Sequence, residues 1–205
     1  MKTANHTIEF FDQQFRRQAI AGELSLNPFE EAALPHLRGH VLDFGCGMGN
    51  LAVAAARGGC SVVALDASRA AIIHLQHRAT LESLAIEAVQ ADLRNYQFAG
   101  DFDTVVSIGL LMFFDSPTAF RGLANLQAHV REGGVAIINV MIEGTTYMDM
   151  FEPGGYCLFS RSEIEQRFAD WNILHCEVQD FAMPDQKVKS FVTLIARKPH
   201  PPRAA

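Results

Sequence analysis

The chain has 205 residues, of which 49% are hydrophobic and 20% charged, and its formal net charge is −6. This length and composition predict one globular domain and exclude wholesale disorder. No apolar run approaches the roughly 20 residues that a membrane-spanning helix needs. The acidic balance, without a basic block, argues against a nucleic-acid partner because phosphate contacts require Lys and Arg.

The N-terminus and the cysteines predict a location in the cytoplasm. The first six residues are polar and lack the apolar block of a secretory signal. The four cysteines contain no Cys-x-x-Cys pair, so we expect reduced thiols rather than a disulfide frame or a metal site. Neither a membrane nor a nucleic acid is therefore an expected partner.

Hydrophobic periodicity predicts helices that alternate with short apolar strands. Ranges for the predicted helices are 7–21, a second one from Asn27, 49–57, 69–83, 116–130 and 160–169. Those for the predicted strands are 40–44, 61–65, 86–90, 102–108, 135–141, 171–177 and 188–197. Residues 143–159 combine glycine, proline and aromatic residues without a period, which predicts a loop.

The order of these elements predicts an α/β fold. Apolar strands separated by helices are typical of a mostly parallel sheet that is covered by helices on both faces. No helix separates the last two strands, so they should form an antiparallel hairpin.

A glycine-rich turn follows the first predicted strand. Gly45, Gly47 and Gly49 follow Asp43, and the next strand ends at Asp66. Such a turn, placed between a strand and a helix, is where open α/β sheets bind nucleotides, because the backbone can pass close to the ligand. A dinucleotide fingerprint would read Gly-x-Gly-x-x-Gly, whereas residue 50 is Asn, so S-adenosylmethionine is favoured over a dinucleotide.

The stretch 43–49 resembles motif I of the class I methyltransferases, and the rest of the chain resembles the tellurite-resistance methyltransferase family. This similarity lies in the aromatic opening helix at 10–15, the segment 102–114, Gly133-Gly134 with the strand after it, and the terminal strand 191–198. It implies a Rossmann-like fold and S-adenosyl-L-methionine as cofactor. It also implies a helical lid at residues 1–39, a methyltransferase domain at 40–198 and a flexible tail at 199–205.

The resemblance assigns a set of cofactor contacts. Asp43 would hold the amino end of the cofactor, Asp66 the ribose hydroxyls and Asp92 the exocyclic amine of the adenine. Asp43 could instead cap the glycine turn, Asp66 the following helix, and Asp92 could be an ordinary loop residue. The remaining expected contacts are Gly45, Cys46, Gly47, Gly49, Ala67, Leu93 and Ser107.

The substrate residues are expected among aromatic side chains outside these motifs. Phe113 and Phe114 follow the fourth strand, Tyr147 and Phe151 lie in the irregular loop, and Phe11 lies on the opening helix. Phe113 and Phe114 could instead be core residues, since aromatic pairs after a strand are often buried. Phe11 could instead only dock the opening helix. No catalytic residue is identified.

The family carries a Leu-His-Arg segment between its last two strands, where this chain has residues 177–181. The His-Arg pair is absent, and Glu177 and Asp180 would repel an oxyanion such as tellurite. We therefore expect a methyltransferase that acts on a small, soft nucleophile, such as a thiol, a selenium or tellurium compound or a small metabolite. The alternatives are a methyltransferase acting on protein or nucleic acid, and a non-catalytic S-adenosylmethionine-binding protein.

Overall fold

The structure is a computed structural model that describes residues 11–15, 17–18 and 24–200. Within it, 11–15 and 17–18 are helical. The α-helices that follow are α1 (Pro28–Ala33), α2 (Asn50–Arg57), α3 (Arg69–Leu81), α4 (Ser116–Ala128) and α5 (Arg161–Arg167). The strands are β1 (His40–Phe44), β2 (Ser61–Asp66), β3 (Ile86–Gln90), β4 (Phe102–Ile108), β5 (Val130–Met141), β6 (Asn172–Ala182) and β7 (Val188–Arg197).

The seven strands form one sheet in the order β3-β2-β1-β4-β5-β7-β6. The pairs from β3 to β5 are parallel, whereas β7 is antiparallel to both β5 and β6. This confirms the predicted mostly parallel sheet with an antiparallel terminal hairpin. Because β7 runs against its neighbour, its first residues lie at the same edge as the carboxyl ends of the parallel strands.

Both faces of the sheet are covered by apolar packing. Alternate strand residues enter opposite layers, so Leu42 and Val105 lie in one buried cluster and Val41 and Val106 in the other. In the second layer, the side chains where α2 packs are small and many are alanine, so this helix can approach the sheet closely. The first turn of the helix therefore lies directly beside the end of β1.

Two strands begin or end five residues away from their predicted bounds. Strand β5 starts at Val130, five residues early, because Val130 pairs with Phe102 before a register shift. Gly133 has a φ of +71° in this irregular stretch, so the glycine pair lies inside the strand and does not precede it. Strand β6 continues to Ala182 because it pairs with β7 along its whole length, a long-range contact that local patterns do not reveal.

The described residues contain no helix that is long and apolar enough to cross a membrane.

Candidate cofactor and substrate cavity

The glycine loop is fixed to the end of β2 by backbone hydrogen bonds. The N–H groups of Gly45 and Cys46 both donate to the Leu65 carbonyl, at 2.8 and 3.0 Å. The Gly47 N–H donates to Asp66 Oδ2 at 2.9 Å. Positive φ values of +87° at Gly45 and +52° at Gly47 bend the chain here, a conformation that favours glycine.

Gly49 is required by packing between two helices. It precedes α2 with a φ of +72°, and a Cβ atom there would approach Leu75 Cδ1 of α3 to 2.5 Å. Gly49 does not line the cavity beside the loop. Its absent side chain lets α2 and α3 pack closely, which sets the shape of the loop from behind.

A cavity of about 820 Å³ runs along the carboxyl-terminal edge of the sheet. Most of the predicted residues line it. The predicted cofactor residues in its wall are Asp43, Gly45, Cys46, Gly47, Asp66, Ala67, Asp92 and Leu93, and the predicted substrate residues are Phe11, Phe113, Phe114 and Tyr147. Gly49, Ser107 and Phe151 lie outside the lining, and Phe151 packs behind Phe113 at 5.1 Å between ring centroids.

Asp43 is a buried acid with an unsatisfied oxygen. Its side chain is 5% exposed, and Oδ2 has no hydrogen-bond partner among the described residues. Burial raises the pKa of Asp43 to about 8, with further contributions from the carboxylates of Glu30 and Asp66. A cationic ligand group placed here would satisfy the oxygen and favour the ionised acid.

Asp66 joins the glycine loop to the start of α3. Its two oxygens accept from the Gly47 N–H and, at 2.8 Å, from the Ser68 N–H. Burial is the largest influence on Asp66 and raises its pKa, while these backbone hydrogen bonds lower it. Asp66 is not the cap of α3, because Ser68 is the N-cap and its hydroxyl accepts from the Ala71 N–H. Asp66 instead holds the turn before this helix, and its position in the cavity wall leaves it available to a ligand as well.

Asp92 follows β3 and pairs with Arg94. Arg94 donates from Nε at 2.9 Å and from a terminal guanidinium nitrogen at 2.6 Å. Both residues line the cavity and about half of each side chain is exposed. A ligand that uses the Asp92 carboxylate would therefore share it with, or displace, this arginine.

The opposite end of the cavity is apolar. Met112, Met141, Met150 and Phe191 are buried there as one cluster, with Phe29, Phe113 and Tyr147 packed against it. This wall comes from five separate stretches of chain, so it exists only in the folded protein.

The opening helix covers part of the cavity. The Phe11 ring contacts Phe113 edge-on at 5.1 Å and stacks on Phe15 at 5.7 Å. Asp12 accepts a hydrogen bond from the Ser68 hydroxyl, and a Cβ atom at Gly47 would meet the Phe15 ring at 3.2 Å. The helix therefore sits directly over the glycine loop.

The sequence interpretation missed several lining residues, namely Phe29, Glu30, Asn139, Met141, Lys189 and Phe191. Asn139 is fully buried, and its Oδ1 has no hydrogen-bond partner among the residues that the structure describes. Sheet topology could have revealed the last four of these residues, which are Asn139, Met141, Lys189 and Phe191. The end of β5 and the start of an antiparallel β7 must meet at the edge where parallel strands bind ligands.

Residues 177–180 do not line the cavity. Glu177 and Asp180 are exposed on the edge strand β6. The expectation that these two acids repel an oxyanion inside the site therefore loses its structural basis, because their charges face solvent.

Residues 41–134 match the family described as "Methyltransferase domain". Over these residues the chain resembles the class I methyltransferases. This match, together with the sheet order, confirms the predicted fold and the predicted resemblance.

Several curated or solved proteins resemble the chain. Hemagglutinin 1 of Eikenella corrodens is 29% identical over 77% of this chain and 54% of its own length. The probable S-adenosyl-L-methionine-dependent methyltransferase TehB of Haemophilus influenzae is 24% identical over 93% of this chain and 66% of its own. The chain thus spans less than two thirds of these curated relatives.

Solved structures share the fold. The crystal structure of TehB from Haemophilus influenzae has a TM-score of 0.71 at 21% identity, over 94% of this chain and 67% of TehB. The N-methyltransferase NodS from Bradyrhizobium japonicum, solved with S-adenosylhomocysteine, has a TM-score of 0.69 at 17% identity, covering 96% of this chain and 100% of NodS. These relatives confirm the predicted resemblance to proteins that use S-adenosyl-L-methionine as cofactor.

Proposed function

We propose that the chain transfers a methyl group from S-adenosyl-L-methionine to a small molecule that carries a soft or partly apolar nucleophile. One observation carries this proposal. A single cavity joins the glycine loop and its acids to a wall of methionine and phenylalanine. A donor site and an acceptor site that share one cavity are what direct group transfer requires.

The acids fit a cationic cofactor. S-adenosyl-L-methionine carries an ammonium group and supplies an activated methyl group on a sulfonium sulfur. Asp43 Oδ2 and Asn139 Oδ1 are buried acceptors in the cavity wall that lack a partner among the described residues. Asp43 would hold the ammonium group, and Glu30 adds a second negative group near it.

The remaining contacts follow from position along the sheet edge. Asp66 would accept from the ribose hydroxyls and Asp92 from the adenine amine, with Gly45, Cys46, Gly47, Ala67 and Leu93 as close neighbours. Gly49 and Ser107 would support the loop and the adjoining strand end from outside the cavity.

The protein would accelerate transfer mainly by positioning. Phe11, Phe113, Phe114 and Tyr147 would hold the acceptor against the donor and exclude water, while Phe151 supports Phe113 from behind. Alignment of two bound reactants can supply a large part of a rate enhancement without a catalytic acid or base. This suits a nucleophile that needs no deprotonation, such as a thiolate.

The segment 1–39 is proposed as a cap, because several of its described residues line the cavity, Phe11, Phe15, Phe29 and Glu30 among them. The limits of the methyltransferase domain at 40–198 and of the tail at 199–205 stay predictions, as does the cytoplasmic location. The described part of the tail is residues 199 and 200.

Two measurements test the proposal. Calorimetry with S-adenosylhomocysteine reports cofactor binding, and release of S-adenosylhomocysteine over a panel of acceptors reports transfer. The panel contains thiols, selenite, tellurite, a small amine, denatured protein and RNA. Turnover confined to protein or RNA would overturn the small-molecule assignment, and binding without turnover on any acceptor or on cell extract would indicate a non-catalytic protein.

A further inference from the structure

We propose that Lys189 binds a carboxylate of the methyl acceptor, whose apolar part lies against Phe191 and Met141. This inference rests on the proposed function and narrows its substrate class to small amphiphilic acids.

Strand geometry brings Lys189 and Phe191 to one face. The two residues are separated by one position on β7, so their side chains point to the same side of the sheet. Both line the cavity. Met141 of β5 pairs directly with Phe191, which extends this face toward the donor side.

Lys189 brings a positive charge beside the apolar cluster of the cavity wall. Its ammonium nitrogen lies 4.6 Å from the centroid of the Tyr147 ring. No ion pair joins Lys189 to any carboxylate in the described part of the chain. Burial lowers the pKa of Lys189, a cost that an anionic ligand would offset.

The neighbouring Lys187 differs from Lys189 in its ion pair and in its position. Lys187 pairs with Asp149 at 2.9 Å and does not line the cavity. Asp149 does line the cavity, but its charge is compensated by that pair. Among the described residues, Lys189 is therefore the cation at this end that remains available to a ligand.

The surroundings of Lys189 favour an organic acid over an inorganic oxyanion. Phe29 contacts Phe191 at 4.9 Å between ring centroids, and Met112 and Met150 complete the same apolar cluster. An inorganic oxyanion would leave this wall without a partner. An acceptor with an apolar body and one carboxylate would use both features.

The position also separates this charge from the cofactor acids. In the sheet, β1 with Asp43 and β7 with Lys189 are three strand spacings apart, about 14 Å at the usual separation of neighbouring strands. An acceptor anchored at Lys189 would extend from there toward the donor.

A matched pair of acceptors tests the inference. Benzyl mercaptan and its para-carboxylated derivative offer the same thiol without and with an acid. We expect Lys189→Gln to raise the KM of the acid about tenfold, as for loss of one partly buried charged contact. The KM of benzyl mercaptan and the affinity for S-adenosylhomocysteine should be unchanged. Lys189→Arg should largely restore the KM of the acid. Lys198→Gln, which lies just after the other end of β7 and outside the cavity, is the control that should change the KM of neither acceptor.

A binding measurement separates this inference from the proposed reaction. The S-methyl thioether of the acid is titrated into protein loaded with S-adenosylhomocysteine, and we expect binding that weakens about tenfold in Lys189→Gln. If the wild-type chain methylates benzyl mercaptan but does not prefer the acid, the inference fails and the proposed function stands. If neither thiol is methylated but the thioether binds through Lys189, the anion site stands and thiol methylation fails.

Three further outcomes would overturn the inference. One is an equal rise in the KM of both acceptors in Lys189→Gln, which would indicate a structural role. Another is weaker binding of S-adenosylhomocysteine in that variant, which would assign the lysine to the cofactor. The third is selenite competing through Lys189 as strongly as the thioether acid, which would indicate an inorganic oxyanion site.

Discussion

At the residue scale, the raised pKa of Asp43 predicts that both stability and cofactor affinity depend on pH. Its pKa is raised from 3.8 to about 8 in the folded protein. Between these values the folded state holds a proton that the unfolded chain has lost, so the free energy of unfolding falls as pH rises. Asp66 and Glu30, which face Asp43, also have raised pKa values and contribute in the same direction.

We expect ligand-free protein to lose more than about 1 kcal/mol of stability between pH 5 and pH 8. Asp43→Asn should reduce this slope, since the amide does not titrate. Affinity for S-adenosylhomocysteine should rise over pH 6 to 8 in the wild-type chain, because its ammonium group selects the ionised acid, and should vary less in the variant. Denaturant melts and calorimetry at each pH measure both slopes, and equal slopes in the two proteins would contradict the assignment.

Asp66 is the second residue whose role can be measured. Asp66→Ala would remove the acceptor for two ribose hydroxyls and for the Gly47 and Ser68 N–H groups. At about 1.5 kcal/mol for each hydrogen bond to a charged acceptor, binding of S-adenosylhomocysteine should weaken at least tenfold. Asp170→Ala, an exposed acid outside the cavity, is the control. Unchanged affinity in Asp66→Ala would remove this residue from the cofactor site.

A substitution at Gly47 tests whether cofactor binding needs the open space beside the loop or only the turn itself. A valine at a φ of +52° is strained, and its branched side chain would enter the cavity near Phe15. Gly47→Val should abolish cofactor binding. Gly59→Val is matched, because Gly59 also has a positive φ but no atom lies within 4 Å of a Cβ there. Gly59→Val should lower stability and leave cofactor binding unchanged. Full cofactor binding by Gly47→Val would mean that the glycine turn is purely structural.

At the element scale, the described part of the opening helix, residues 11–15 and 17–18, lies over the cavity. Its contacts include Phe11 on Phe113, Asp12 on Ser68 and Phe15 over Gly47. The sheet already has helices on both faces without this segment. A lid, rather than a core element, is the role that this attachment favours.

Deleting residues 1–21 should therefore leave a folded protein with looser cofactor retention or impaired turnover. Circular dichroism and the dissociation rate of S-adenosylhomocysteine measure the two effects. Aggregation of the truncated chain would place the helix in the core. The full-length double variant Phe11→Ala/Phe15→Ala tests the same contacts without removing chain, and cofactor dissociation as slow as in the wild type would contradict the lid.

At the scale of the whole molecule, we expect the cavity to favour acceptors with an apolar body over small oxyanions. The reason is the methionine and phenylalanine wall, since Glu177 and Asp180 face solvent. We expect thiols to turn over faster than tellurite or selenite when release of S-adenosylhomocysteine is compared at equal acceptor concentration. Efficient tellurite methylation by the unmodified chain would contradict this preference and show that the family's His-Arg pair is dispensable.

Replacing Val178-Gln179 by His-Arg would introduce the family's pair, and the hairpin geometry predicts which of the two changes matters. Gln179 pairs with Phe191 and shares its sheet face, whereas Val178 pairs with Val192 on the opposite face. Any gain in oxyanion turnover should therefore come from Gln179→Arg, and Val178→His is the matched control that should give none.

The sequence by itself determined the fold and the donor half of the site. β1, β3 and β4 begin and end at the predicted residues, and the hairpin pairs as predicted. The motif from Asp43 to Asp66 is local, because a strand, a turn and a helix within 24 residues must bring their side chains to one strand edge. Most predicted cofactor residues consequently line the cavity.

Only the tertiary structure decided the acceptor half. Lys189, Phe191, Met141 and Phe29 are distant in sequence, and strand pairing with packing of the α1 region brings them together. Similarly, the αL conformation of Gly49 is local, but the reason that no side chain fits there is Leu75 of another helix. Local sequence patterns determine backbone conformation and periodicity, whereas the composition of a cavity wall depends on which distant strands become neighbours.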